Sequence, residues 1–184
     1  SVRTMENLPL LVETGMGTVP DEIEVRESGA AFTVSLAEGQ KTGWFYDQRP
    51  NRVEAAKYAK GKTVLDAFCY SGAFGVMAAR NGAAGVTFLD ASRQALDMAS
   101  RNLADNAGWP GEQLRGDALD ALASLRDGGR KFGVVCVDPP AFIKRKKDAE
   151  QGLNAYRRVN DLGLQLVENG GILTSCSCSH HLEA

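Results

Sequence analysis

The chain has 184 residues, of which 43% are hydrophobic, and this is enough to bury one sizeable core. Its formal net charge of −2 excludes a general electrostatic attraction to nucleic acid, so any RNA contact has to come from a local basic patch. There is no apolar run of membrane length and no charged-then-apolar leader, which favours a cytoplasmic protein with reduced cysteines.

Residues 1–50 have the alternating pattern of β-strands. The stretches EIEVRES and AFTVSL alternate apolar and polar side chains around Ser28-Gly29, which predicts a hairpin. GQKTGWFYDQR then indicates a further strand or an ordered loop, and NRVEAAKYAK has helix-forming composition. We therefore expect a small β-rich segment at 1–50, joined by a helix to a second unit at 51–184.

From Lys62 onward, short apolar runs alternate with helical patterns. The runs are KTVLDAF, GVTFLDAS, a short strand before GDALDAL, FGVVCVDPP and Ile172–Cys178, and the last helix is expected at about 153–168. Ser92 is the expected cap of the second helix and Gly108 its stop. Five strands alternating with helices predict an α/β fold with a parallel sheet, which binds ligands at the carboxyl ends of its strands.

Three carboxylates stand at equivalent positions near the ends of the first three parallel strands. Asp66 precedes a small-residue turn in which Ser71 and Gly72 lead into a helix N-terminus with unpaired amides. Asp90 ends the second strand and can accept hydrogen bonds from ribose hydroxyls, while Asp117 can reach an adenine amino group. The turn lacks GxGxxG, so the pattern favours a ligand with hydroxyls and an amino group over a dinucleotide.

The fourth strand ends in DPPAF. Two prolines stiffen the backbone directly after Asp138, and the aromatic Phe142 follows. This arrangement suits a planar base held by stacking and by a charged acceptor, although a merely rigid turn would have the same sequence. The clearest basic patch is KRKK at 144–147 together with Arg157 and Arg158; on charge alone a solvated surface is an equal alternative.

The run GGILTSCSCSHH combines two cysteines with two histidines. Cys176 and Cys178 beside His180 and His181 resemble a zinc-binding set, but CxC is not CxxC and no second ligand pair lies upstream. We therefore expect no metal. The remaining interpretations are a buried, inert thiol pair or a cysteine that performs chemistry.

Together these stretches resemble the class I S-adenosylmethionine-dependent methyltransferases, and within them the family of ribosomal RNA large-subunit methyltransferase I, which forms 5-methylcytosine. The resemblance runs from about residue 10 to the end and is carried by GQKTGWFYDQRPNR, VLDAFCYSGAFGVMAA, VTFLDAS, FGVVCVDPPAFIKRKK, AYRRVNDLGLQLVENGGIL and SCSCS. It implies a Rossmann-like sheet with five of the usual seven strands, hence a domain at 51–184 truncated at its C-terminus. The family usually has a PUA-type RNA-binding domain, which we expect to be absent from this chain. An outer strand left exposed in this way would favour a homodimer.

The resemblance also implies roles for individual residues. Asp66, Ser71 and Gly72 would form the loop that binds S-adenosylmethionine, with Asp90 on the ribose, Asp117 against the adenine and the 41–52 segment over the site. The substrate would be large-subunit ribosomal RNA. Its expected contacts are Pro139, Phe142, Lys144, Arg145, Arg157 and Arg158.

Methylation at carbon 5 of a pyrimidine needs a nucleophile, because a thiolate that adds to carbon 6 activates carbon 5. The resemblance puts Cys178 in that place and Asp138 on the cytosine edge. Cys176 stays an alternative, since side chains two apart in a regular strand share a face. Two other functions stay open: a methyltransferase of guanine ring nitrogen, which needs no cysteine, and a fragment that binds cofactor without turnover.

Overall fold

The chain begins with a β-hairpin in the computed structural model, which describes residues 14, 16–36, 43–143 and 145–179. Strand β1 (Glu22–Glu27) pairs antiparallel with strand β2 (Ala30–Ser35). Ser28 and Gly29 turn between them with φ of 50° and 80°, the left-handed conformation that a two-residue hairpin turn needs. The predicted hairpin is confirmed.

A parallel sheet follows, made of β3 (Thr63–Ala67), β4 (Gly85–Asp90), β5 (Glu112–Arg115), β6 (Phe132–Val137) and β7 (Val167–Ser175). The helices are α1 (Arg49–Ala56), α2 (Ala73–Arg80), α3 (Arg93–Ala107), α4 (Ala118–Asp127) and α5 (Ala149–Leu166). The strand order β5-β4-β3-β6-β7 reverses between β3 and β6. Such a reversal opens a crevice at the carboxyl ends of the two strands. The parallel sheet with its helices confirms the predicted Rossmann-like α/β fold.

Helices cover both faces of the sheet. Successive residues of one strand, such as Val64 and Leu65 of β3, point to opposite faces of the sheet and belong to different apolar clusters. The first cluster contains side chains of the hairpin, α1, α2 and α3, and the second those of α4 and α5. All six residues of β6 are buried, which explains why its sequence is a continuous apolar run.

The last strand differs from the predicted run Ile172–Cys178. It spans Val167–Ser175, and Gly170 lies inside it with φ of 76°, where the register with β6 shifts. It ends where its partner ends, because β6 is followed by the DPP sequence and prolines cannot donate ladder hydrogen bonds. Both terminal cysteines therefore lie beyond the strand. Within the described residues β7 is an outer strand, and its pairing with a second copy stays a prediction.

Two asparagines of α3 make hydrogen bonds to the backbone of β2 in the way that a neighbouring strand would. Asn102 accepts a hydrogen bond from Thr33 N at 2.8 Å and donates to Thr33 O at 3.1 Å. Asn106, one helical turn later, pairs in the same way with the backbone of Ala31. Because Asn102 also donates to Ser71 O at 3.0 Å, it ties the hairpin to the turn that follows β3.

We expect Asn102→Ala to lower the free energy of unfolding by about 3 kcal/mol, because it leaves three backbone groups unpaired at a fully buried position. Asn106→Ala, at a half-buried position, is the matched control and should cost less. Urea denaturation of both variants measures this. Equal losses would contradict the role given to Asn102.

Candidate active site

The turn after β3 has an unusual backbone. Phe68, Tyr70 and Gly72 have φ of 61°, 47° and 74°. A left-handed conformation costs a residue other than glycine about 1–2 kcal/mol, and such strain clusters at ligand sites. The turn is held by neighbours on β4, because Phe68 N donates to Leu89 O at 2.8 Å and Tyr70 N donates to Asp90 Oδ2 at 3.1 Å.

Asp66 lies beneath this turn and is 2% exposed. Its Oδ2 accepts a hydrogen bond from Gly75 N at 2.8 Å, in the first turn of α2. Burial raises the pKa of Asp66 to about 8, and the nearby carboxylates of Asp138 and Asp90 raise it further against the opposing Gly75 hydrogen bond. The carboxyl therefore fixes the start of α2 from inside the protein.

Ser71 and Gly72, the other predicted cofactor residues of the turn, are also buried. A Cβ on Gly72 would lie 2.7 Å from the Cβ of Ala99 in α3, closer than real side chains approach. Glycine is required here by the packing of the turn against α3.

Asp90 and Asp117 lie at the same edge of the sheet as Asp66. Asp90 is partly exposed, and its Oδ1 accepts from Ser92 N at 2.9 Å. Asp117 is exposed and caps α4, because its Oδ1 accepts from the amides of Leu119 and Asp120 at 2.9 and 3.3 Å. The structure thus brings the three predicted carboxylates to the ends of β3, β4 and β5.

The loop after β6 forms the other side of the crevice. Its backbone continues along β3, since Asp138 N donates to Ala67 O at 3.4 Å. Ser179, after β7, clasps this loop: its Oγ accepts from Ile143 N at 3.1 Å and lies 2.7 Å from the hydroxyl of Tyr156. The ring of Phe142 packs against Tyr156 with centroids 4.8 Å apart. Phe142 thereby anchors the loop, and its stacking on a base stays a prediction.

The two cysteines after β7 lie in different surroundings. Cys176 is buried, and burial raises its pKa to about 12, with the negative charges of Asp138 and Asp66 acting in the same direction. Cys178 is exposed, and its Sγ lies 4.0 Å from Pro139 O. The expectation that both cysteines share one strand face is wrong, because the strand ends at Ser175.

A buried ion pair fastens the hairpin beside this site. Arg52 of α1 makes two hydrogen bonds of 2.7 Å to the carboxylate of Glu27 in β1, and the two side chains are 4% and 3% exposed. Trp44 Nε1 donates to the same carboxylate at 3.1 Å, and its ring lies 4.7 Å from the Arg52 guanidinium carbon. The described part of the 41–52 segment is therefore held between the hairpin and the sheet.

The predicted basic patch does not form a single cluster in the described residues. Arg145 pairs with Asp148 at 2.8 Å near the start of α5. Arg157 and Arg158 lie roughly 13 Å further along the helix axis, counted from Asp148, where they line a depression between α4 and α5 with Arg126. Lys144, His180, His181 and residues 41 and 42 lie outside the described residues.

Sequence reasoning missed three residues that build this site. Gln48 contacts Asp138 and Cys176, Ser179 clasps the DPPAF loop, and Asn102 holds the turn after β3. Gln48 and Ser179 lie within the stretches GQKTGWFYDQRPNR and SCSCS, but sequence reasoning assigned neither residue a role of its own. Asn102 also had a signal, because asparagines four residues apart on an apolar helix face need buried partners.

Neither a metal site nor a membrane span is found in the part of the chain that the structure describes. No three His, Cys, Asp or Glu side chains there are grouped to hold a metal ion. No helix there has the length and apolar character needed to cross a bilayer.

The sequence matches the family of S-adenosylmethionine-dependent methyltransferases over residues 12–182. The chain belongs to this family. It is 38% identical over 181 residues to a ribosomal RNA large subunit methyltransferase I of Pseudoalteromonas atlantica, and 39% identical over 166 residues to a ribosomal RNA large subunit methyltransferase of Deinococcus radiodurans. These alignments cover 97% and 89% of the chain but 46% and 41% of the relatives, so the chain spans less than half of their length.

A solved structure supports the methyltransferase assignment. SMU.776, described as a methyltransferase and crystallised with S-adenosylhomocysteine (SAH), superposes with a TM-score of 0.73 at 26% identity, covering 86% of this chain and 42% of that one. The cofactor of the family is S-adenosylmethionine, and the strained turn with its row of carboxylates fits a ligand that carries a ribose and a positive charge. The assignment of single residues to the cofactor stays a prediction.

The pH dependence of stability tests the burial of Asp66. Its folded-state pKa of about 8 lies above the usual 3.8, so its contribution to stability is complete below pH 4 and is lost as pH rises through 8. Asp66→Asn mimics the protonated carboxyl, so its free energy of unfolding should rise relative to that of the wild type from about pH 4 to about pH 8. Urea denaturation at several pH values measures the difference, with the exposed Asp97→Asn as control. A difference that does not vary with pH would contradict the raised pKa.

Asp90 provides the test of the cofactor site. We expect Asp90→Ala to weaken SAH binding about tenfold or more, because charged hydrogen bonds to ribose hydroxyls are lost. Isothermal calorimetry measures the affinity, and Asp105→Ala, on the exposed side of α3, is the control. Unchanged affinity in Asp90→Ala would remove this residue from the cofactor site.

Proposed function

We propose that the chain is the catalytic part of an RNA methyltransferase that forms 5-methylcytosine in large-subunit ribosomal RNA. The single observation that carries this proposal is the placement of Cys178, an exposed thiol 4.0 Å from Pro139 O in the loop that begins with Asp138. Transfer to an exocyclic or ring nitrogen gives no reason for a cysteine at this place. The identity to two ribosomal RNA large subunit methyltransferases supports the RNA substrate.

The proposed reaction uses Cys178 and Asp138 together. The thiolate of Cys178 adds to carbon 6 of cytosine while Asp138 holds the edge of the base and stabilises its protonated ring nitrogen. Bound S-adenosylmethionine supplies an electrophilic methyl group, which carbon 5 takes up. Loss of the carbon 5 proton to water then breaks the bond between sulfur and carbon 6. The bond electrons return to sulfur as the thiolate, and the ring nitrogen gives up its proton to leave neutral 5-methylcytosine.

Burial favours Cys178 over Cys176 as the reacting cysteine. Cys176 would have to ionise in a buried place where burial and two carboxylates raise its pKa to about 12. Cys178 is exposed, and the clasp of the neighbouring Ser179 holds its segment against the loop after β6. We therefore propose Cys178 as the nucleophile and Cys176 as a structural thiol.

The proposed RNA contacts begin at the loop after β6. Pro139 and Phe142 would border the base, and the exposed Arg145 follows them in the chain. Arg157 and Arg158 would contact phosphate further along α5, beside Arg126. We propose that residues 51–184 form the catalytic domain and that residues 1–50 support its cofactor side.

Substitution of each cysteine separates the possible functions. In Cys178→Ala we expect 5-methylcytosine formation to fall by roughly a thousandfold or more, while Cys176→Ala keeps activity within roughly threefold because its thiol takes no part in the reaction. The measurement is transfer from tritiated S-adenosylmethionine to unmodified large-subunit ribosomal RNA, with mass spectrometry of the nucleosides.

The same assay contains the outcomes that contradict the proposal. Methylated guanine that persists in Cys178→Ala would identify a guanine ring-nitrogen methyltransferase. A wild-type chain that binds cofactor in calorimetry but transfers no methyl group would be a binding fragment. Loss of activity in Cys176→Ala alone would exchange the roles of the two cysteines.

A further inference from the structure

We propose that Gln48 is a positioning residue whose side-chain amide orients the Asp138 carboxylate and holds Cys176 as a neutral thiol, leaving Cys178 as the reacting cysteine. This inference rests on the proposed function and adds Gln48, which does not lie at the end of a strand, to the residues of the site.

Gln48 lies between the two sides of the catalytic crevice. It is the last residue of a single 3₁₀ turn, Tyr46–Gln48, and is 9% exposed. Its Nε2 donates to Asp138 Oδ1 at 3.5 Å, and its Oε1 accepts from Cys176 Sγ at 3.5 Å. These are long hydrogen bonds, and such bonds in catalytic sites often shorten only when substrate is bound.

The chemistry of the partners fixes which way the amide points. An ionised carboxylate only accepts hydrogen bonds, so the NH₂ group has to face Asp138 and the carbonyl oxygen has to face Cys176. Asn51 Nδ2 donates to the same carbonyl oxygen at 2.8 Å and favours the same orientation. An oxygen acceptor against sulfur stabilises the thiol over the thiolate. One amide therefore favours the charged form of Asp138 and the neutral form of Cys176.

The support of Gln48 is rigid. Arg52, one helical turn later on α1, is held in the buried ion pair with Glu27. Arg52 also donates to Phe45 O at 3.0 Å, just before the turn. Gln48 is thus enclosed between two fixed points, and a glutamine held in this way can fix the position of a carboxylate.

Several charged or titratable groups face this pair, and each element around it contributes. Those near Cys176 are Asp138 and Cys136 from β6 and its loop, Asp66 from β3, Arg52 from α1 and Asp47 from the turn. A variant that changes the charge at Gln48 therefore acts on a site already rich in carboxylates.

Two substitutions separate positioning from packing. Gln48→Met keeps the volume and removes both polar contacts, so kcat for methyl transfer should fall by about tenfold to a hundredfold while SAH affinity stays unchanged. Gln48→Glu puts a second carboxylate against Asp138, and because the two share a proton the acid limb of the kcat profile should move to higher pH. Asn169→Asp, the equivalent amide-to-carboxylate change at an exposed position near the amino end of β7, should leave both unchanged. Wild-type kcat in Gln48→Met or an unmoved acid limb in Gln48→Glu would overturn the inference.

A second measurement does not depend on activity. Gln48→Met, Asp138→Ala and the double variant form a cycle of unfolding midpoints in urea, and we expect the two effects to be non-additive because the residues share a hydrogen bond. Additive effects would overturn the inference even if the chain methylates cytosine. A wild-type chain without methyl transfer would refute the proposed function, and the cycle would still decide the role of Gln48.

Discussion

The buried ion pair of Glu27 and Arg52 is the contact on which the geometry of this site depends. Neither charge is exposed to water, so each is stabilised only by the other and by the groups around the pair, Trp44 and the carbonyl of Phe45. Removing one member of such a pair costs about 3–5 kcal/mol because the other is left buried and uncompensated. The pair joins β1 to α1 and thereby fixes the turn that carries Gln48. A hairpin that is distant in sequence from the strand ends thus supports the residue that borders the crevice.

The crevice collects acidic side chains whose mutual repulsion the fold itself has to tolerate. Asp66, Asp90 and Asp138 come from three adjacent strands, and the pKa of Asp66 rises because it is buried near the other two. A cationic ligand would relieve this repulsion, since opposite charge favours the ionised carboxylates. The sulfonium of S-adenosylmethionine has that charge. We therefore propose that electrostatics, together with the left-handed turn at Phe68 and Tyr70, matches this site to the cofactor.

Cys176 and Cys178 show how the fold gives two similar residues different surroundings. They are separated by one residue, yet one is buried and the other exposed. The cause is the end of β6 at the DPP sequence, after which β7 has no partner backbone to pair with. The chain then leaves the sheet, and Ser179 attaches it to the DPPAF loop through the hydrogen bond from Ile143 N. The prolines that follow β6 thus stop the pairing of β7 close to its two following cysteines.

The sequence by itself determined the hairpin, the parallel sheet and the row of Asp66, Asp90 and Asp117, because these depend on local periodicity, turn residues and strand ends. The cap at Ser92 and the stop at Gly108 followed from the same local rules. Only the tertiary structure decided where β7 ends and which of its neighbouring cysteines is buried. It alone showed that Asn102 pairs with β2 and that Gln48 reaches Asp138, ninety residues away. Side-chain amides can pair with almost any polar group, so their partners are fixed by packing and leave no spacing in the sequence to read.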